Sequence, residues 1–63
     1  MTEEIWRLRR VLAVIGMSRS WLYEEVAAGR FPAPLQLGQR AIGWRRADIE
    51  NWLKARVRKE GIR

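Results

Sequence analysis

The 63-residue sequence contains neither cysteine nor histidine. Without cysteine, the chain has no disulfide to support a small core and no thiolate to hold a metal ion. Without histidine, it lacks the commonest metal ligand and the usual general base at neutral pH. These absences make an enzyme the weakest functional interpretation. We therefore expect no catalytic residues, no metal and no other cofactor.

Long apolar segments are also absent from the sequence. No stretch approaches the roughly 20 apolar residues that a membrane-spanning helix needs, and residues 1–10 are too charged for a signal peptide. We expect a cytoplasmic protein without a membrane partner. The length allows one domain, residues 1–63, with a core over about residues 7–57. A core of this size leaves little stability to spare.

The charge of the chain is strongly basic. Thirteen Lys and Arg oppose seven Asp and Glu, for a net charge of +6, and eleven of the thirteen are Arg. A planar guanidinium group suits phosphates and guanine edges. This composition favours an anionic partner such as nucleic acid. A generic basic protein kept soluble by its charge is the alternative that composition leaves open.

Two short helices are predicted in the first half of the chain. The first contains four apolar residues at helical spacing, namely Leu8, Val11, Leu12 and Ile15. Gly16 is predicted to end this helix, and Ser18 can cap a second helix from about Arg19 to Ala28. Gly29 and the prolines after it end that helix. Two helices joined by such a short break are typical of a helix-turn-helix.

The second half of the chain changes from helical to alternating periodicity. Leu35 and Leu37 share one face of a short strand, and Ile42 and Trp44 share one face of another. Gly38-Gln39-Arg40 lies between them and can turn the chain. A third helix should begin near Arg46 or Ala47.

The buried stripe of this third helix is expected to comprise Ile49, Trp52, Leu53 and Val57. Trp44 and Trp52 are both predicted core residues. Trp6 fits no pattern, and we expect it to cover an edge of the core. The predicted fold is mainly α with a small β-hairpin, a winged helix-turn-helix in the order α-α-β-β-α.

The candidate site is the outer face of the second helix together with the hairpin tip. The N-terminal part of a recognition helix contacts bases in the major groove, and a basic wing contacts phosphates or the minor groove. Ten residues are predicted to bind DNA: Ser18, Arg19, Ser20, Trp21, Tyr23, Glu24, Arg30, Gln39, Arg40 and Arg45. Alternatives remain open for several of them. The helix face can be an ordinary solvated surface, Trp21 can pack under the hairpin, and Arg30 or Arg45 can complement helix-end carbonyls.

Several of these motifs together resemble one known family, the AlpA-like prophage regulators. The resemblance covers roughly residues 7–55 and rests on Gly16-Met17-Ser18-Arg19-Ser20-Trp21-Leu22-Tyr23, Ala28-Gly29-Arg30-Phe31-Pro32, Pro34-Leu35, Leu37-Gly38, Arg40, Gly43-Trp44-Arg45, Ile49 and Trp52-Leu53. The family is similar to excisionases and MerR-type domains, which implies a winged helix-turn-helix that binds DNA. Two positions depart from it, since relatives usually have Thr in place of Trp21 and often a basic residue in place of Glu24. Glu24 can accept from cytosine or orient Arg19 or Arg30, and it suggests an altered or weaker target sequence.

Three functions are left open by the sequence. The first is a sequence-specific transcriptional regulator that binds double-stranded DNA. The second is an excisionase, a recombination directionality factor that bends DNA for an integrase. The third is a protein-interaction module such as an antitoxin. For either DNA-binding function we expect no small-molecule ligand, and a monomer whose neighbouring copies on DNA touch through the wing or the Arg56–Arg63 tail.

Overall fold

The computed structural model describes residues 3–56, so the predictions for Val57 and for the tail beyond Arg56 lie outside it. Its elements, in chain order, are β1 (Ile5–Arg7), α1 (Leu8–Ile15), α2 (Arg19–Ala28), β2 (Leu35–Gln36), β3 (Ile42–Arg45) and α3 (Arg46–Lys54). Three helices pack with a small three-stranded antiparallel sheet. The predicted fold class is confirmed, and the arrangement is compatible with a winged helix-turn-helix. Within residues 3–56, no helix has the length and apolar character needed to cross a membrane.

The boundaries of α1 and α2 agree with the sequence prediction because their caps are local. Gly16 and Gly29 end the two helices in the left-handed conformation, with φ of 73° and 80°. Glycine adopts this conformation without the steric cost of a Cβ. At the start of α2, the Ser18 Oγ accepts a hydrogen bond of 3.1 Å from the Trp21 backbone N–H. This cap satisfies one of the unpaired donors of the first turn.

Strand β3 is the centre of the sheet, whose order is β1-β3-β2. Trp6 in β1 faces Trp44 in β3, while Leu35 in β2 faces Gly43. The sequence prediction missed β1 because a strand of three residues that leads directly into a helix shows no periodicity of its own. The prediction that Trp6 covers an edge of the core is thereby refined, because Trp6 is a buried strand residue that is only 9% exposed.

The hairpin turns at the predicted place but has a shorter first strand than expected. The Leu37 backbone N–H donates to the Ala41 carbonyl at 2.8 Å, which encloses the loop Gly38-Gln39-Arg40. Leu37 lies beyond the end of β2 and is an exposed apolar residue. Its expected place on one strand face with Leu35 was therefore wrong.

The core is made of residues from β1, β3, the three helices and the segment between α2 and β2. Its six buried members are Trp6, Val11, Leu22, Phe31, Trp44 and Ile49. Trp44 is 1% exposed, as predicted, and its indole Nε1–H donates to the Pro32 carbonyl at 2.6 Å. Because the hydrogen bond satisfies the polar end of the ring, the whole side chain can be buried.

An aromatic cluster around Phe31 joins the core to α3. The Phe31 ring centroid lies 4.8 Å from that of Trp52 and 6.5 Å from that of Trp21. Trp52 is only partly buried and Leu53 is 40% exposed, so the predicted apolar stripe of α3 was too wide. Trp21 is half-buried, and its ring also stands edge-on to Trp52 at 6.2 Å. Its aromatic contacts are therefore with Phe31 and with Trp52 of α3.

Candidate nucleic-acid interface

A groove of about 460 Å³ lies between the start of α1, the outer face of α2 and the hairpin. Its lining comprises Arg7, Leu8, Arg9, Arg19, Tyr23, Gln36, Gln39, Arg40 and Ile42. The four arginines come from four different parts of the fold, which are β1, α1, α2 and the hairpin loop. None of these nine lining residues is acidic. We call Arg7, Arg9, Arg19 and Arg40 the groove arginines.

Four of the ten residues predicted to bind DNA line this groove: Arg19, Tyr23, Gln39 and Arg40. The other six lie outside its lining: Ser18, Ser20, Trp21, Glu24, Arg30 and Arg45. Among these six, Ser18 caps α2 and Glu24 is exposed on the same helix. The structure thus brings the start of the predicted recognition helix and the tip of the predicted wing to one surface.

Local hydrogen bonds hold both of these parts in place. The Ser18 cap makes Arg19 the first residue of α2, and Tyr23 follows one turn later on the same face. In the hairpin, the Gln36 side-chain amide donates to the Gly38 carbonyl and, at 3.4 Å, to the Gln39 carbonyl. These bonds tie the loop that carries Arg40 back to β2.

Sequence reasoning missed Arg7, Arg9 and Gln36 as residues of the groove. The basic cluster Arg7-Leu8-Arg9-Arg10 is visible in the sequence, but its position relative to the hairpin depends on β1. In the structure Arg7 is the last residue of β1 and faces Gly43 in β3. That long-range pairing has no signal in the local sequence pattern.

Three other arginines form ion pairs with carboxylates, and we call Arg30, Arg45 and Arg46 the paired arginines. Arg45 contacts Glu3 at 2.9 Å. Arg46 contacts both Glu4, at 3.0 Å, and Glu50, at 2.9 Å. The hydrogen bonds that Arg46 donates to Glu50 and then to Glu4 raise the pKa of Arg46, so its guanidinium stays charged beside these carboxylates.

Arg30 is paired with Glu25 at 2.8 Å, through two hydrogen bonds. The hydrogen bond from Arg30 lowers the pKa of Glu25, and the same bond raises the pKa of Arg30. The expectation that Glu24 could orient Arg30 is corrected accordingly, because the neighbouring carboxylate holds the guanidinium. In contrast, no groove arginine has a carboxylate within 4.0 Å among residues 3–56.

Comparison with known proteins identifies the family to which the chain belongs. The family model described as "Prophage CP4-57 regulatory protein (AlpA)" matches residues 4–57. A protein of Enterobacteria phage P4, named "Uncharacterized protein ORF88", is 33% identical over 61 residues, which span 94% of this chain and 69% of the relative. No solved structure matches the chain significantly. The chain therefore belongs to the AlpA family of prophage regulatory proteins and is, at the level of that family, a DNA-binding regulator.

Proposed function

We propose that this protein is a sequence-specific transcriptional regulator that binds double-stranded DNA. In this proposal α2 enters the major groove, and the hairpin contacts the DNA backbone or the minor groove. The observation that carries it is the meeting of four arginines from four parts of the fold in one groove without a carboxylate. Four guanidinium groups at one surface favour a partner that carries many negative charges, such as the phosphates of DNA.

The two sides of the groove have different roles in the proposal. Arg19 and Tyr23 lie on the exposed face of α2, where a guanidinium can bind guanine through two hydrogen bonds and a phenol can bind a phosphate or a base edge. Gln39 and Arg40 lie in the hairpin loop and bind the backbone or sense the shape of the minor groove. The reading of sequence is therefore assigned to α2.

The remaining predicted residues flank these contacts in the proposal. They are Ser18, Ser20, Trp21, Glu24, Arg30 and Arg45. Binding to duplex DNA places the protein in the cytoplasm of its host, and such binding needs neither a cofactor nor a catalytic residue. We further propose a monomer in solution whose copies occupy neighbouring sites on DNA.

The direct test is footprinting on the genetic element that encodes the protein, followed by affinity measurements on the protected duplex over a range of salt concentrations. We expect a defined protected site and an affinity that falls steeply with salt, because each phosphate contact releases counterions. A flat salt response, or no binding at low salt, would contradict the proposal and favour a protein-interaction module. Protection at a promoter supports the regulator. Protection confined to an attachment region would instead indicate an excisionase that acts with an integrase.

A charge-matched pair of variants separates specific contacts from general attraction. Arg19→Gln/Arg40→Gln removes two positive charges from the groove, whereas Arg10→Gln/Lys54→Gln removes two charges outside its lining. The groove variant should lose the footprint while the control keeps it. Equal losses in both variants would show that only the net charge of +6 matters.

A further inference from the structure

We propose that the junction of β1 and α1 is a third DNA-contacting element, in which Arg7 and Arg9 bind backbone phosphates of the strand that lies between α2 and the hairpin. This inference rests on the proposed function and adds to it a contact that neither the recognition helix nor the wing supplies. Both side chains line the groove together with those of Arg19 and Arg40.

The junction is held at a fixed position relative to the hairpin by the sheet. Arg7 faces Gly43 of β3, and Gly43 faces Leu35 of β2 on its other side. A Cβ at Gly43 would lie 2.9 Å from the Leu37 side chain and 3.0 Å from that of Ile5, so the three strands meet closely there. The backbone of Arg7 and the two strands of the hairpin therefore belong to one sheet.

The side chains of the junction point to two different places, the groove and the Trp6 ring. Arg7, Leu8 and Arg9 line the groove, whereas the Arg10 guanidinium lies over the Trp6 ring, 4.8 Å from its centroid. Leu8 is half-buried against the core and anchors the start of α1. Two adjacent arginines, Arg9 and Arg10, thus have separate tasks, and Arg10 provides a natural control for Arg9.

The chemistry of the lining favours a row of phosphates over a compact ligand. Leu8 and Ile42 are the apolar residues of the lining, beside four guanidinium groups, two amides and a phenol. The first turn of α1 carries no acidic residue, so nothing in it repels an anion. A DNA strand offers about one negative charge per 3.4 Å along the helix axis, so one strand can engage several separated guanidinium groups at once.

Phosphate contacts position a protein on DNA and carry no sequence information. Arg7→Gln/Arg9→Gln should therefore weaken binding to all duplexes by a similar factor and make the slope of log K against log salt shallower by about two, roughly one per arginine. The base preference at the footprinted site should stay as in the wild type. Arg10→Gln/Lys54→Gln, with the same net charge, should keep the wild-type slope. Circular dichroism should show both variants folded.

A second measurement locates the contact on the DNA. Methylphosphonate substitution removes the charge of one phosphate at a time, and in the wild type it should weaken binding at the phosphates that Arg7 and Arg9 hold. In Arg9→Gln, substitution at one of these positions should have no further effect. The inference is overturned if the wild type binds with a steep salt slope while Arg7→Gln/Arg9→Gln keeps that slope and every methylphosphonate effect. Failure of the wild type to bind any duplex would overturn the proposed function as well, so the two failures are distinguishable.

Discussion

The groove arginines and the paired arginines have the same side chain but different surroundings. Arg30, Arg45 and Arg46 each hold a carboxylate at 2.8–3.0 Å, whereas the lining that contains the groove arginines has four positive charges and no acidic residue. Within residues 3–56, positive charge is therefore distributed unevenly over the surface. What makes an arginine available to a partner here is the absence of an internal carboxylate, and residue type alone does not reveal this.

Two of the paired arginines, Arg45 and Arg46, attach the N-terminal segment to the rest of the fold. The bonds from Arg45 to Glu3 and from Arg46 to Glu4 each join residues 42 positions apart. The Arg46 backbone N–H also donates to the Glu4 carbonyl at 2.9 Å. Solvent screens these exposed ion pairs, so the set holds β1 beside α3 with only a modest contribution to stability. It thereby helps to place Arg7 in the groove without lining the groove itself.

The largest expected effect is a loss of stability in Trp44→Ala, because Trp44 lies in β3, the strand that supports both sets of arginines. Trp44→Ala removes a side chain that packs on Phe31 at 5.9 Å between centroids and is 1% exposed. The loss should be about 3–5 kcal/mol of unfolding free energy, close to the whole stability of so small a domain. Chemical denaturation followed by circular dichroism measures it.

Trp52→Ala provides the comparison for this core variant. The sequence predicts equal roles for the two tryptophans, but Trp52 is only partly buried, so the smaller loss should be found there. If Trp44→Ala folds with unchanged stability, the two sets of arginines do not depend on β3 as argued above.

Features that depend on neighbouring residues could be predicted from the sequence, whereas features that depend on long-range contacts could not. Gly16, Ser18 and Gly29 act within one helical turn, so both ends of α2 and the end of α1 could be predicted from neighbouring residues. The width of the α3 stripe could not, because the exposure of Leu53 depends on what packs against the helix.

The candidate site shows the same limit. Arg19 and Arg40 could be predicted because a recognition helix and a wing tip are local features. Arg7 and Arg9 could not, because their place in the groove depends on the pairing of β1 with β3. The pairing of Arg45 with Glu3 could not be predicted either, since helical and strand periodicities say nothing about contacts between residues 42 positions apart.

The next largest expected effects are on DNA affinity, and they distinguish the groove arginines from the paired arginines. Arg19→Ala should cost about 1–3 kcal/mol of binding free energy and relax the preference at one base position. Arg40→Ala should weaken binding evenly across sequences and make the salt slope shallower by about one. Arg45→Ala should change binding less than either, because Glu3 already neutralises its charge.

The measurement is a competition assay in which each base of the site is varied in turn. If Arg19→Ala keeps the wild-type preference while Arg40→Ala loses it, the wing reads sequence and the assignment is reversed. If Arg45→Ala weakens DNA binding more than the other two variants do, pairing with an internal carboxylate does not decide which arginines contact DNA.

The smallest expected effect is a loss of stability at acid pH, which involves the carboxylates bound by the paired arginines. The Trp6 indole N–H, at 3.0 Å, and then Arg46 hold the pKa of Glu4 below its ordinary value of 4.5. Because this pKa is lowered in the folded state, the stabilisation is present above about pH 4.5 and is lost as pH falls through the lowered value.

Glu4→Gln should remove part of the decrease in Tm that the wild type shows at acid pH, measured by circular dichroism. The part due to Glu25, whose pKa is lowered by Arg30, should remain. Glu24→Gln is the control, since the Glu24 side chain is exposed and makes no hydrogen bond or ion pair within residues 3–56. At neutral pH, Glu4→Gln should leave the salt slope of DNA binding unchanged, because Glu4 does not line the groove. A shifted slope would mean that the two sets of arginines act on DNA together.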